Sequence, residues 1–117
     1  MEYFTFTEFD SPDINSGGEK MDCDFLEKLE RAREIADIPF KINSGFRTVG
    51  HNKKVGGKSN SSHLRGLAVD ISCKDSRSRY FILTALLEAG FSRIGVGSSF
   101  IHVDDDLEKS PNVIWPY

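Results

Sequence analysis

Apolar residues recur along the chain with helical spacing in two long segments. From about Asp22 to Ala36 they lie three and four positions apart, and Asp22 is a suitable N-cap residue. The same spacing returns from about Ser76 to Ala89, and Gly90 is a suitable stop. These two patterns predict amphipathic helices that bury one face each.

Shorter segments alternate between apolar and polar residues, which is the period of a β-strand. They lie at Phe40–Asn43, Leu67–Ile71, Phe91–Val96, Phe100–Asp104 and, as a final edge strand, Val113–Trp115. Residues 97–99 predict a hairpin turn between the third and fourth of these strands. Two helices among short strands predict an α+β fold, in which helices pack on one face of a small antiparallel sheet.

Two polar segments lack either period. Residues 10–19 are rich in turn residues and predict a loop. Residues 44–62 predict a second loop of about 19 residues, which is long for a compact domain and typical of a functional segment.

Length and composition exclude several classes to which the protein could belong. A chain of 117 residues predicts a single domain over residues 1–117, and 38% hydrophobic residues exclude a disordered chain. A net charge of −3 argues against nucleic-acid binding, and no apolar run has the ~20 residues of a membrane helix. Cys23 and Cys73 make no disulfide framework, and we expect both to be small buried residues in a reducing compartment.

The strand at Leu67–Ile71 has an unusual outer face. Its large apolar residues alternate toward the core, which leaves Gly66, Ala68 and Asp70 on the other side. A solvated strand face more often carries Thr, Lys or Glu. Two small residues beside a carboxylate therefore predict a shallow, open floor.

The strand at Phe100–Asp104 places His102 and Asp104 together on its polar face. If the two strands are neighbours, Asp70 and His102 meet across the sheet, and His63 precedes Asp70 by seven residues. Two imidazoles and one carboxylate suit zinc and leave a position for water. The alternative is a solvated strand with incidental histidines.

Three motifs occur in a fixed order along the chain. Residues 61–70 (SSHLRGLAVD) match the pattern S-x-H-x-x-G-x-A-x-D, and SGFR at 44–47 and IHVD at 101–104 flank it. Together they resemble the M15 family of zinc D,D-carboxypeptidases and peptidoglycan endopeptidases, which shares its fold with the hedgehog signalling domain. The similarity runs from about Phe4 to the last residue, and residues 51–57 resemble short phage and prophage members.

The resemblance implies a role for each motif residue. His63, Asp70 and His102 would be the ligands of a Zn²⁺ ion. Arg47 would bind a carbonyl or carboxylate of the peptide and stabilise the oxyanion, the alternative being a surface salt bridge. Ser61 would hydrogen-bond a ligand or the substrate, the alternative being a simple turn residue.

One position departs from the family pattern. Many members carry an acidic general base three residues before the third ligand, where this chain has Ser99. Asp104 shares the face of His102 and is the candidate base, although it could equally orient a ligand without moving protons. We expect Asp105 and Asp106 to form a solvated turn.

Three further side chains have open roles. We favour a structural role for His51 within the long loop, with contact to the cleft as the alternative. Trp115 and Tyr117 are expected to pack on the edge strand and not to form a sugar platform.

The resemblance implies a zinc metallopeptidase that hydrolyses peptide bonds of peptidoglycan stems or cross-links, of D,D-carboxypeptidase, endopeptidase or endolysin type. The alternative, which Ser99 supports, is a non-catalytic zinc-binding structural module, for example of a phage particle. We expect a monomer whose partner is the peptidoglycan peptide, with no nucleic acid and no membrane. The N-terminus lacks the pattern of a signal peptide. We therefore expect synthesis in the cytoplasm and action on the cell wall after phage-mediated release or as a virion component.

Overall fold

The computed structural model describes all residues from Met1 to Tyr117. Its helices are α1 (Cys23–Ala36), α2 (Val49–Lys54) and α3 (Ser76–Glu88). Its strands are β1 (Ile42–Ser44), β2 (Ala68–Ser72), β3 (Arg93–Val96), β4 (Phe100–Asp104) and β5 (Val113–Pro116). Short 3₁₀ turns occur at Phe6–Phe9, Gly18–Lys20 and Ser62–Arg65. No helix has the length and apolar character that crossing a membrane requires.

Each of the two long helices begins directly after an aspartate that caps it, and Asp22 was the predicted cap of the first. The Asp22 carboxylate accepts a hydrogen bond of 2.9 Å from the Phe25 main-chain N–H. At the start of α3, the Asp75 carboxylate accepts one of 2.9 Å from the Ser78 N–H. Each cap satisfies a main-chain donor that the first helical turn leaves free, so the predicted bounds of both helices are confirmed to within a residue.

Residues 44–62 were predicted to be mostly loop, but Val49–Lys54 within them form α2. The Thr48 hydroxyl caps this helix by accepting a hydrogen bond of 3.0 Å from the His51 N–H. Val49 is 75% exposed, and Asn52 is the buried residue of the helix. Because α2 buries a polar side chain and no apolar stripe, hydrophobic periodicity does not reveal it.

The five strands form one sheet in the order β1-β2-β4-β3-β5, which confirms the predicted α+β class. Neighbouring strands are antiparallel except that β5 runs parallel to β3, so the sheet is mixed. Arg93 at the start of β3 pairs with both Asp104, at the end of β4, and Val113, at the start of β5. The chain therefore enters β5 at the end of the sheet where it left β4, and this return makes the last pair parallel.

The sheet has two faces of different character. One face contributes apolar side chains to a core of 20 buried residues that also includes the inner sides of α1 and α3. Its strand residues are Val69, Ile71, Ile94, Ile101 and Val103. The opposite face carries small and polar residues and is the site face.

The cysteines follow the sequence prediction only in part. Both are free thiols, and Cys73 is buried as expected. Cys23 is exposed, because it is the first residue of α1 and lies outside the buried stripe.

Candidate metal centre

A single row of paired residues crosses the site face. The strand register places Ser44 opposite Asp70, Asp70 opposite His102, His102 opposite Gly95, and Gly95 opposite Trp115. Directly paired residues on neighbouring strands bring their side chains close together. The predicted approach of Asp70 and His102 across the sheet is therefore present.

His63 joins this pair from the 3₁₀ turn that precedes β2. Its Nε2 lies 3.4 Å from Asp70 Oδ1, and His102 Nδ1 lies 2.9 Å from the same oxygen. One potential ligand atom from each of the three residues lies within 4.8 Å of the others. The structure thus brings together the three side chains that the sequence identified.

The outer nitrogen of each histidine is held by an oxygen. His63 Nδ1 lies 2.8 Å from the Gly45 carbonyl oxygen, and His102 Nε2 lies 2.8 Å from Asp104 Oδ2. In each case the ring N–H donates to the oxygen, which leaves the other nitrogen facing Asp70. Such partners fix the tautomer of metal-binding histidines, and two imidazoles with one carboxylate are a donor set that fits zinc.

The carboxylate and the imidazole at the centre of the cluster shift each other's pKa. Burial raises the pKa of Asp70, but the neighbouring His102 and His63 outweigh it and hold that pKa well below its usual range. Burial lowers the pKa of His102, but hydrogen bonds to Asp104 and Asp70 outweigh it and raise that pKa above its usual value.

Arg47 forms part of the cleft wall beside this cluster. It donates from Nε to Ser44 Oγ at 3.0 Å and from Nη1 to Asn52 Oδ1 at 3.2 Å. Its Nη2 lies 3.4 Å from Asp70 Oδ2. Burial lowers the pKa of Arg47 and Asp70 opposes this shift, but a guanidinium stays charged in proteins. A fixed cation therefore lies against the candidate metal ligands.

The cleft extends on both sides of Asp70. One cavity has a volume of about 640 Å³ and contains both cluster histidines. A second, of about 280 Å³, is lined by His51 and Ser99. Arg47 and Asp70 border both cavities. The alternative that His51 reaches the cleft therefore has a structural basis.

Ser61 lies at the start of the turn that carries His63. Its Oγ accepts a hydrogen bond of 3.3 Å from the His63 main-chain N–H, and the residue lines the larger cavity. Ser61 thus caps the turn, and its contact with a substrate stays a prediction.

Asp104 is 1% exposed, and both its oxygens are engaged. Oδ2 accepts from His102 Nε2, while Oδ1 accepts from Arg93 Nε at 2.6 Å and from the Asp106 main-chain N–H at 3.2 Å. Burial raises the pKa of Asp104, but the bonds from His102 and Arg93 outweigh it and lower that pKa. These contacts are the ones an orienting role requires, and the role of Asp104 as a base stays a prediction.

The aromatic end of β5 lies closer to the site than the sequence indicated. The Trp115 ring lies 5.7 Å from the His102 ring and 5.1 Å from the Arg93 guanidinium. A Cβ on Gly95 would lie 2.7 Å from Trp115 Nε1, so only glycine leaves space for this ring. Trp115 and Tyr117 do lie at the sheet edge, but they also line the larger cavity. Trp115 and Tyr117 are two residues apart, so extended chain places both rings on the face of Gly95. This spacing is the sequence signal for their approach to the site.

Asn52 was not identified from the sequence. It is buried, accepts from Arg47 and donates from Nδ2 to the Lys58 carbonyl oxygen at 2.9 Å. A Cβ on Gly57 would lie 2.0 Å from Asn52 Oδ1, so the loop packs directly on this amide. Asn52 lies in a charged stretch, where nothing in the pattern marks it as buried.

The expectation of a solvated turn at residues 105–106 is half wrong. Asp105 is partly exposed and forms an ion pair of 2.9 Å with Lys28. Asp106 is 2% exposed. Its side chain turns inward because Ser62 and two basic residues surround it there.

Comparison with known proteins identifies the family. Residues 3–104 match the family model described as Peptidase M15, and the chain belongs to this family. It is 38% identical over 68 residues to the zinc D-Ala-D-Ala carboxypeptidase of Streptomyces albus G. That alignment covers 57% of this chain and 26% of the relative, so the matched part is about a quarter of the relative's length. Strand β5 lies beyond the residues that match the family model.

Proposed function

We propose that this chain is a zinc-dependent metallopeptidase that hydrolyses peptide bonds of bacterial peptidoglycan. The observation that carries the proposal is the convergence of His63, Asp70 and His102 at the floor of an open cleft, beside Arg47. Membership of the peptidase family and the name of the Streptomyces relative support both the metal and the reaction.

The three ligands would hold the ion and leave a coordination position open to the cleft. When bound, zinc supplies Lewis acidity, which polarises a carbonyl group and makes water a better nucleophile. Arg47 uses three of its five N–H groups within the protein, so others can donate to a substrate carbonyl oxygen. Because Ser44, Asn52 and Asp70 fix the guanidinium, it can stabilise negative charge without reorganising.

The substrate within this proposal is a stem peptide or a cross-link. The relative's name supports carboxypeptidase action on a terminal D-alanine. The extension of the cleft on both sides of Asp70 supports endopeptidase or endolysin action, because an internal bond needs room for chain on both sides. We propose that the protein acts on the cell wall after phage-mediated release or as a virion component.

Digestion of purified peptidoglycan, followed by mass analysis of the products, tests this function. Zinc-loaded protein is expected to release D-alanine or shorter muropeptides, and a chelator should stop the release until zinc is restored. Intact peptidoglycan after treatment with folded, zinc-loaded protein would contradict the proposal.

A non-catalytic zinc module is the second candidate. It is favoured by Ser99, at the position where the family pattern has an acid in many members, and by Asp104, whose oxygens are engaged within the protein. This candidate predicts zinc binding and thermal stabilisation by zinc without any cleavage product. The same digestion, with the zinc content measured in parallel, separates the two functions.

A further inference from the structure

A buried carboxylate follows β4 behind the candidate metal centre. Asp106 Oδ2 accepts a hydrogen bond of 2.6 Å from Ser62 Oγ and pairs with Arg65, and Lys109 Nζ lies 3.6 Å away. Asp106 Oδ1 accepts from the Glu108 main-chain N–H at 3.0 Å. Both oxygens are thus satisfied inside the protein.

This carboxylate connects the chain segments that carry the two histidines. Ser62 is buried, precedes His63 directly and belongs to the same turn. On the other side, the Asp106 N–H donates to Asp104 Oδ1, and Asp104 Oδ2 accepts from His102. One continuous set of hydrogen bonds therefore runs from the turn of His63 to the ring of His102.

The sheet alone does not set the distance between these histidines. Strand pairing fixes Asp70 against His102, but His63 lies outside the sheet. Gly66 separates its turn from β2 and has a left-handed φ of +69°, which breaks the strand geometry. The turn is held at the Gly45 carbonyl on one side and at Asp106 on the other.

Stability alone is a poor explanation for this arrangement. Removing a charged pair from water carries a large desolvation penalty, and apolar replacements of buried ion pairs are often neutral or stabilising. Asp106 also lies just past residues 3–104, which match the family model. Two of its side-chain contacts, with Ser62 and Arg65, are to the turn that presents His63.

We propose that Asp106 is a positioning residue that sets the separation of His63 and His102 and thereby the zinc affinity of the site. The inference rests on the proposed function only in taking zinc as the metal. Asp106 acts through Ser62 and Asp104 and touches no ligand itself.

The test compares Asp106→Asn and Ser62→Ala with Asp105→Asn as a matched control. Asp105 is the neighbouring acid, but its ion pair is with Lys28 on α1, away from the site. Zinc affinity is measured against a competing chelator, and the melting temperature of each metal-free protein is recorded. We expect both test variants to bind zinc several-fold more weakly, which is less than the ~10–100-fold lost with a direct partner of a metal ligand, and the control to bind like wild type.

A purely structural role would lower the metal-free melting temperature and leave the zinc affinity of the folded protein unchanged; that result overturns the inference. An equal loss of affinity in Asp105→Asn also overturns it. If Asp106→Asn does not fold, Ser62→Ala decides, because it removes only one hydroxyl. Zinc affinity at the wild-type level in Ser62→Ala would contradict the positioning role of Asp106. Wild-type protein that binds no zinc overturns both proposals, whereas equal binding by wild type and folded Asp106→Asn overturns only this one.

Discussion

Ile101 and His102 are consecutive residues of β4, yet they lie on faces of the sheet that are stabilised in different ways. Ile101 is fully buried among the apolar residues of the core. His102 is 7% exposed and is held by hydrogen bonds to Asp70 and Asp104. Burial of the first is non-directional, whereas each contact of the second requires a particular atom at a particular distance.

The difference indicates which property each face controls. The helix-covered face should determine the free energy of unfolding, because it buries the apolar surface. The site face should determine metal affinity and chemistry, because its geometry depends on individual hydrogen bonds. Substitutions on the two faces can therefore be compared directly.

The largest effect is expected from His63→Ala. The wild-type protein should bind about one zinc ion per chain, and this substitution should remove most of it. Two remaining ligands hold zinc poorly, while the buried Gly45 carbonyl left without its partner should cost about 1–3 kcal/mol of stability. Metal analysis checks the occupancy, and chelation should lower the wild-type melting temperature. Full occupancy in both His63→Ala and His102→Ala would refute the ligand assignment.

On the opposite face, Ile101→Ala should lower the free energy of unfolding by about 2–5 kcal/mol, because it leaves a cavity in the core. The zinc affinity of the folded protein should stay near wild type. Urea denaturation of the metal-free protein measures the loss. The control is Leu107→Ala at a 95% exposed position, where a change within about 0.5 kcal/mol is expected. Equal losses at the two positions would contradict the assignment of stability to the apolar face.

Arg47→Lys should reduce kcat/KM on a cross-linked muropeptide by about 10²-fold, as loss of one oxyanion donor typically does. A lysine cannot reproduce the fork that bonds Ser44, Asn52 and Asp70 together. Zinc content should be unchanged, and Arg77→Lys on the exposed side of α3 serves as the control. Turnover at the wild-type rate, or misfolding as the main defect, would return Arg47 to a structural role.

Asp104→Asn distinguishes the two roles proposed for that residue. From its contacts we expect zinc affinity to fall about 10–100-fold, because the amide is a poorer acceptor for His102. Zinc affinity and kcat should be measured together. Normal zinc binding with a lost chemical step would instead support the base, and normal values of both would leave Asp104 with neither role.

The smallest expected effect is on the melting temperature of the metal-free protein at acidic pH. Burial raises the pKa of Asp106, but hydrogen bonds from Ser62 and Arg65 outweigh it and hold that pKa below the ordinary value of 3.8. Its contribution to stability is therefore present above the ordinary pKa and is lost as pH falls through the lower folded value. Between about pH 5 and pH 3, the melting temperature of the metal-free wild type should fall further than that of metal-free Asp106→Asn. An equal fall in melting temperature for wild type and Asp106→Asn over this pH range would show that Asp106 adds no pH-dependent stability.

Much of the apolar face could be predicted from the sequence. Local periodicity and caps predict the bounds of α1 and α3 and the β3–β4 hairpin. They also predict that Val69 and Ile101 face the core. On the site face, the resemblance of three motifs to the M15 family identified His63, Asp70 and His102, and the structure brings these side chains together.

The remainder depends on contacts between distant segments. Asn52 and Asp106 are polar residues in polar stretches, and their burial is set by Arg47 and Ser62 elsewhere in the chain. The direction of β5 follows from where β4 ends in the sheet, which no local pattern encodes.

Strand order also bears on when the site can form during synthesis. β4 lies between β2 and β3, although it follows both in the chain, so the middle of the sheet is filled after its neighbours have emerged. A nascent chain that ends before Phe100 offers only His63 and Asp70 to a metal ion. Binding of a metal ion by all three side chains therefore requires insertion of the central strand, which makes metal binding a reporter of β4 docking.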